Sequence, residues 1–133
     1  MRSNAKYFLV PMLLLVFSRS QASMPQHERM WDNEVLPVLD RYCFKCHAGV
    51  RQKSGLDLRS LDTILRGGEH GPAVIPGKPD ESRLLAFLAP EADPHMPPEG
   101  KKQVTPAEID LLRQWITTLP VPAAFGPKNG GAV

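Results

Sequence analysis

The segment Cys43-Phe44-Lys45-Cys46-His47 constrains the fold more than any other part of the chain. A Cys-x-x-Cys-His run is the attachment signature of c-type haem. On a helical turn the two cysteines share a face, so their sulfurs can reach the two vinyl groups on one edge of a porphyrin. His47 follows on that face, where its imidazole can coordinate the iron. The spacing therefore predicts one haem c per chain, attached covalently through Cys43 and Cys46 and ligated by His47.

Two other interpretations of the cysteine pair fit the sequence less well. A thioredoxin-like redox pair follows a strand in a βαβ unit, and no convincing strand precedes Cys43. A closed zinc site takes four ligands, usually from two Cys or His pairs. The chain has only two cysteines, and His70 and His95 are too far apart in sequence to form the second pair. Haem attachment therefore remains the preferred interpretation.

The first 22 residues have the pattern of a secretory signal peptide. Arg2 and Lys6 make a basic start, the run from position 8 to 17 is almost wholly apolar, and Ser20 and Ala22 supply small residues for cleavage. The apolar run is shorter than the roughly 20 residues that span a bilayer. We therefore predict cleavage after Ala22, export to a bacterial periplasm and no stable membrane anchor.

The charge balance argues against a nucleic-acid partner. The chain has 16 basic and 14 acidic side chains, and three of the basic ones lie in the predicted signal. The mature chain would therefore carry one more acidic than basic side chain, without the excess of positive charge that nucleic-acid binding requires. Its length suits one small domain. We predict a haem domain at 23–119 and a flexible Pro/Gly-rich tail at 120–133.

The hydrophobic pattern predicts an all-α fold with long Gly/Pro loops at 67–79 and 91–102. Residues 24–30 are polar and read as a frayed lead-in, and Pro37 should kink the first helix or open its first turn. Each later helix has a start signal: a serine cap, a proline with acidic neighbours, or a capping box. The predicted helices run from Trp31 to Tyr42, from Leu61 to Arg66, from Pro79 to about Ala89, and from Pro106 to about Leu119.

Met96 is the predicted sixth ligand of the iron. Methionine and histidine pair as axial ligands in cytochromes, and this pairing raises the reduction potential. Pro97 and Pro98 each fix a backbone angle, which would hold Met96 with little freedom. His95 is the main rival, although adjacent side chains of an extended loop diverge and only one should reach the iron. His70 is a weaker rival.

The chain resembles the planctomycete-type cytochrome c domain, within the class I cytochrome c fold. The resemblance rests on Val35 to Leu39 before the haem motif, Ser54 to Leu58, Gly67 to Gly77, Met96-Pro97-Pro98, and Leu111 to Ile116. It implies a small all-α domain wrapped around one covalent haem, with the first and last helices packed across each other.

The resemblance also implies two contacts of the iron site. Met96 would be the distal ligand. Pro72 would accept a hydrogen bond at its carbonyl from Nδ1 of His47 and so orient the proximal ligand. Domains of this family often head much longer chains with further domains, whereas this sequence ends about 14 residues after the last predicted helix. We therefore expect a partner enzyme to be a separate polypeptide. His70 is a departure from the family pattern.

Three functions compete at this point. A haem with both axial positions filled by protein favours an electron carrier rather than an enzyme. Its redox protein partners, such as a periplasmic dehydrogenase or oxidase, would dock through small transient interfaces. Lys45, Arg51 and Lys53 could form a positive patch beside the haem edge. The alternatives are a haem-c enzyme or gas/peroxide sensor with a labile sixth ligand, and a binding module in which haem only completes the core.

Overall fold

A computed structural model describes residues 24–126 of the chain. The fold is mostly helical, which confirms the predicted all-α class at that level. The α-helices are α1 Gln26–Met30, α2 Leu36–Tyr42, α3 Phe44–His47, α4 Leu61–Arg66, α5 Arg83–Ala86 and α6 Pro106–Thr118. A short strand, β1 Arg51–Gln52, pairs antiparallel with His47 and Ala48. Short 3-10 turns lie at Lys53–Gly55, Pro79–Glu81 and Ala123–Phe125.

The first helical segment is longer and less regular than predicted. α1 is helical where a frayed lead-in was expected, and it buries Met30 in the core. A π-helical turn, Trp31–Val35, joins α1 to α2. Pro37, in the first turn of α2, has no N–H to donate, and its ring crowds the carbonyl four residues earlier. The π-helical turn directly before α2 is wider than an α-helical turn and accommodates the proline ring. The predicted disturbance of the first helix at Pro37 is therefore this π-helical turn.

The first and last helices pack across each other, as the family resemblance implied. α1 and the π-helical turn contact α6. Trp31 and Trp115 stack between them with ring centroids 5.4 Å apart, and Trp115 is fully buried. Both tryptophans therefore serve the core, as the sequence predicted. The buried apolar residues around them form one cluster: Val35, Val38, Leu39, Leu58, Ile64, Val74, Leu112 and Ile116.

The predicted caps of α4 and α6 are confirmed. The Ser60 side chain accepts a hydrogen bond from the Thr63 N–H, and α4 ends at Gly67, whose φ of 73° favours glycine. At α6, Thr105 and Glu108 form the full capping box around Pro106. These short-range signals set the ends of both helices.

The prediction of one continuous helix from Pro79 to about Ala89 is wrong, because the structure has two separate helical pieces in this stretch. The 3-10 turn Pro79–Glu81 is separated from α5 by Ser82, which has extended backbone angles and is almost fully buried. The Ser82 hydroxyl accepts a hydrogen bond from Ile75 N–H at 2.9 Å and donates to the Lys78 carbonyl at 2.8 Å. These bonds tie the chain to the preceding loop and prevent a continuous helix.

The predicted segments at the chain ends lie mostly outside the described residues. The signal peptide at 1–22 lies outside them entirely, and so do residues 127–133 of the predicted tail. The described part of the tail contains the turn Ala123–Phe125. Between residues 24 and 126, none of the helices has the length and apolar character needed to cross a membrane.

Candidate haem site

The haem motif forms the predicted helical turn. Cys43 follows α2 directly and accepts hydrogen bonds at its carbonyl from the N–H groups of Cys46, at 3.1 Å, and His47, at 2.9 Å. The two cysteines and His47 line one cavity, and both cysteines are free thiols. The structure therefore brings together the three residues that the motif assigns to haem attachment and proximal ligation.

A short hairpin fixes the chain after His47. The His47 carbonyl accepts a hydrogen bond from Leu58 N–H at 2.8 Å. Asp57 accepts from the Arg59 guanidinium at 2.7 Å and 3.0 Å and from the Gln52 side chain at 3.3 Å. The hydrogen bonds from Arg59 are the main reason that the pKa of Asp57 lies below its usual value. This charged cluster holds residues 47–58 against the motif.

The electrostatics of His47 suit a neutral metal ligand. Burial lowers the pKa of its imidazole, while the backbone carbonyls of Leu56 and Lys53 oppose that shift and the Lys53 charge adds to it. A neutral imidazole is the form that coordinates a metal. Nδ1 of His47 is buried and has no hydrogen-bond partner among the described residues.

The predicted bond from His47 to Pro72 is absent from the structure. Pro72 does not line the cavity, and its carbonyl does not accept a hydrogen bond from His47 Nδ1. The carbonyls that influence the imidazole are those of Leu56 and Lys53, because the hairpin returns the chain to the haem motif at that point. In the described structure, the backbone carbonyls near this ring therefore come from the hairpin that follows the motif, at Lys53 and Leu56.

Both cysteines are partly buried where they line the cavity. Burial is the main reason that the pKa of Cys43 rises to about 11, and the nearby Cys46 adds to the effect. At neutral pH the Cys43 side chain is therefore an uncharged thiol. The raised pKa of Cys43 is the opposite of the lowered pKa that marks a redox-active cysteine, which agrees with the preference for attachment over thioredoxin-like chemistry.

The cavity has a volume of about 510 Å³, within the usual range of small-molecule sites. Its lining is mainly apolar and comes from five segments of the chain, at 42–47, 53–58, 68–73, 83–88 and 93–98. The apolar side chains that line it are Leu56, Leu58, Ala73, Leu84, Phe87, Leu88, Pro94 and Pro97. An apolar space of this size, closed on one side by Cys43, Cys46 and His47, fits a porphyrin.

The structure separates the three candidates for the sixth ligand. Met96 lines the cavity, and its N–H donates to the Phe87 carbonyl at 2.8 Å. His95 does not line the cavity, and its Nδ1 donates to the Pro97 carbonyl at 3.0 Å. His70 also lines the cavity, but it is exposed. The two predicted axial ligands, His47 and Met96, therefore line the same apolar cavity.

Several residues of the site were missed by the sequence analysis. Tyr42 lines the cavity, and its hydroxyl donates to Glu108 at 2.9 Å. Arg41 pairs with the same carboxylate at 2.9 Å. Burial would raise the pKa of Glu108, but the bonds from Thr105 and Tyr42 and the Arg41 charge outweigh it and lower the pKa. The sequence showed Glu108 only as a capping residue, because its contact with Tyr42 joins helices far apart in the chain.

A family comparison agrees with this geometry. Residues 43–100 match the family model described as Planctomycete cytochrome C, from the first cysteine of the haem motif to just beyond Met96. This stretch is therefore similar to the planctomycete cytochrome c family, in agreement with the resemblance found in the sequence. Covalently bound haem is a property of that family, and the match supports Cys43, Cys46 and His47 as a candidate haem site. Comparisons with curated protein sequences and with solved structures gave no match.

Proposed function

We propose that this protein is an exported mono-haem c-type cytochrome that carries single electrons between redox partners. The observation that supports the proposal is the placement of Met96 in the same cavity as Cys43, Cys46 and His47. Two protein ligands, His47 and Met96, would fill both axial positions of the iron. Filled axial positions leave no open site for a substrate and favour electron transfer over catalysis.

Each residue of the proposed centre has a separate task. The haem supplies an iron that alternates between two oxidation states. Cys43 and Cys46 would hold the porphyrin by thioether bonds, and the imidazole of His47, whose pKa is lowered by burial, would bind the iron. Met96 would supply a soft sulfur ligand, which would favour the reduced state and raise the potential. The apolar lining excludes water, and this also favours the less charged reduced centre.

The proposed docking surface lies beside the haem motif. Lys45, Arg51 and Lys53 are exposed, and none of them forms an ion pair within residues 24–126. Val50 lies between them at the tip of the hairpin and is fully exposed. An apolar tip with positive neighbours suits a transient complex with an acidic redox partner, such as a periplasmic dehydrogenase or oxidase. Export of the chain is supported by the signal-like sequence at 1–22.

The proposal is tested on the full chain produced in a host that matures c-type haem. We expect pigment that stays with the polypeptide in acidified organic solvent and a reversible one-electron couple. We also expect a sulfur-to-iron band in the near infrared and slow reaction of the reduced protein with carbon monoxide. A colourless product, or fast reaction with carbon monoxide or peroxide, would contradict the electron-carrier proposal.

The alternative of a haem enzyme or sensor receives little support from the geometry. It depended on His95 as a distal acid or base next to a labile Met96. His95 faces the Pro97 carbonyl and does not line the cavity, so it is not placed to act on a ligand at the iron. The same carbon monoxide and peroxide experiment separates this alternative from the electron carrier.

A further inference from the structure

We propose that Arg83 binds a propionate group of the haem and so anchors the helix next to the distal ligand. This inference rests on the haem site proposed above. Arg83 belongs to a polar rim of the cavity, formed by Lys53, Ser54, His70 and Arg83. Hydrogen bonds connect the segments that carry these residues: Arg83 Nη1 donates to the His70 carbonyl at 2.7 Å, and the N–H of Glu69, next to His70, donates to the Ser54 carbonyl at 2.8 Å.

The chemistry of the cofactor points to this rim. The vinyl edge of a haem must lie at Cys43 and Cys46, and the opposite edge carries two propionate carboxylates. Arg83 and Lys53 are the strongly basic side chains that line the described cavity. Neither forms an ion pair with a carboxylate of residues 24–126, including Asp93, the acidic residue of the cavity lining. The rim therefore offers two uncompensated positive charges to a ligand that brings two negative ones.

Arginine is the better matched of these two cations. Its planar guanidinium presents several N–H donors, and paired donors fit a carboxylate in bidentate geometry. The hydrogen bond to His70 uses Nη1, and no other guanidinium nitrogen of Arg83 has a hydrogen-bond partner among the described residues. Donors remain available for a propionate, and Arg83 should hold one more tightly than the flexible Lys53 side chain does.

Contacts within the chain hold the rim in place. The Arg83 guanidinium lies over the Phe87 ring, 5.9 Å from its centroid, and the His70 carbonyl belongs to a tight turn between Gly68 and Gly71. A Cβ at Gly68 would collide with the Ser54 carbonyl, so only glycine lets the two loops approach this closely. Ser54 itself has a φ of 55°, a left-handed conformation that is sparsely populated for a serine.

A bound propionate would affect the distal side of the iron through α5. Arg83 is the first residue of α5, and the Phe87 carbonyl directly after this helix accepts the hydrogen bond from Met96 N–H. An ion pair at Arg83 would therefore hold α5, and with it Met96, over the porphyrin. It would also neutralise a negative charge close to the iron, which favours the reduced state. Arg83 is thus a positioning residue and a determinant of the potential.

The test compares the midpoint potentials of the full-length holoprotein and of the variants Arg83→Gln, Arg83→Lys and Arg29→Gln. Arg29 is a matched control, because its guanidinium also donates to a backbone carbonyl, that of Met24, and it does not line the cavity. We expect a lower potential for Arg83→Gln, a smaller decrease for Arg83→Lys, and no change for Arg29→Gln. The sulfur-to-iron band of Arg83→Gln should also be lost at a lower temperature than that of the parent.

The pH dependence of the potential provides a second readout. An arginine next to a carboxylate lowers the carboxylate pKa by about 1–3 units, so its removal should raise the pKa of the propionate by a similar amount. The other titratable groups that line the cavity are Tyr42, Lys53, His70 and Asp93, besides the haem-binding residues, and all are unchanged in the variant. We therefore expect a steeper fall of the potential with pH in Arg83→Gln than in the parent.

The outcomes separate this inference from the proposed function. Absence of covalent haem or of a reversible couple in the parent would defeat the cytochrome proposal itself. A reversible parent with Arg83→Gln and Arg29→Gln at the same potential and the same pH slope would overturn only the propionate assignment. The same comparison can be made in an Asp93→Asn background. If Arg83→Gln no longer changed the potential there, Asp93 would be the partner of Arg83, and the propionate assignment would be overturned.

Discussion

The two sides of the haem cavity are built in different ways. On the proximal side, His47 is held by neighbours in sequence: its carbonyl bonds to Leu58 N–H, and the cluster of Asp57 and Arg59 secures the returning chain. On the distal side, Met96 lies in a long loop whose contacts with the body of the fold include one backbone bond to Phe87. The comparison indicates a proximal side fixed by local sequence and a distal side that depends on packing and on the bound cofactor.

The largest expected effect is on the proximal side. The double substitution Cys43→Ser with Cys46→Ser removes both thioether bonds, and we expect no pigment to remain after extraction with acidified organic solvent. The measurement is the haem absorbance of the protein fraction. Lys45→Gln is the control, because Lys45 is exposed within the same motif and does not line the cavity. Covalent pigment in the double variant would show that attachment does not depend on the motif.

Met96→Ala should change the distal side while leaving the attachment intact. The haem stays tethered by Cys43 and Cys46, but we expect loss of the sulfur-to-iron band, fast binding of carbon monoxide and a lower midpoint potential. His95→Ala and His70→Ala are the matched controls and should keep the band. If His70→Ala, and not Met96→Ala, changed the spectrum, the assignment of the distal ligand would be wrong.

Asp57→Asn should weaken the hairpin that supports His47. A hydrogen bond to a charged group contributes about 1.5–3 kcal/mol to stability. Because this cluster is partly exposed, we expect removal of the Asp57 charge to lower the free energy of unfolding by about 1–3 kcal/mol. Urea unfolding at neutral pH measures the loss. Asp40→Asn is the control, because Asp40 is an exposed carboxylate of α2.

The same carboxylate predicts a pH dependence. The pKa of Asp57 is lower in the folded protein than in the unfolded chain, where it lies at about 3.9. Its contribution is therefore complete above about pH 4 and is lost as the pH falls through the depressed folded value. The difference in stability between the parent and Asp57→Asn should shrink below about pH 4. A constant difference across this range would mean that the charge of Asp57 does not contribute.

The proximal side could be predicted from the sequence because its determinants are local. The haem motif needs only one helical turn, and the Ser60 and Thr105 caps act within three residues. Each of these signals depends on bonds between near neighbours, so a short window of sequence contains the whole cause. Met96 was singled out by the two prolines that follow it, but its placement in the cavity depends on the packing of the distal loop.

The remaining features depend on partners that lie far away in sequence. The break at Ser82 follows from its bond to Ile75, and the orientation of Tyr42 follows from its bond to Glu108. The predicted Pro72 hydrogen bond, which the described residues do not form, is of the same kind, because the fold of the hairpin decides which carbonyls lie near His47. Arg83 carries no sequence signal at all, since it acts through the cavity it borders. Tertiary contacts decide these positions.

The smallest expected effect concerns the loop that carries Met96. Gln103 Nε2 donates to the carbonyls of Pro97 at 3.2 Å, Pro98 at 3.2 Å and Lys101 at 2.9 Å, which closes the loop after Met96. These bonds are largely exposed, and a typical hydrogen bond contributes about 0.5–1.5 kcal/mol, so we expect Gln103→Ala to cost about 1 kcal/mol. Glu99→Gln, an exposed change in the same loop, is the control.

Whether Gln103→Ala destabilises only the distal loop or the whole protein distinguishes the distal side of the cavity from the proximal side. Because the proximal hairpin has its own bonds, Gln103→Ala should lower the temperature at which the sulfur-to-iron band disappears while leaving helix unfolding, followed by circular dichroism, nearly unchanged. Local opening of a loop with few anchors costs less free energy than global unfolding, so the two transitions should separate further in the variant than in the parent. If both transitions fell together, the loop and the helical core would form one cooperative unit. The distal side would then be fixed as firmly as the proximal side.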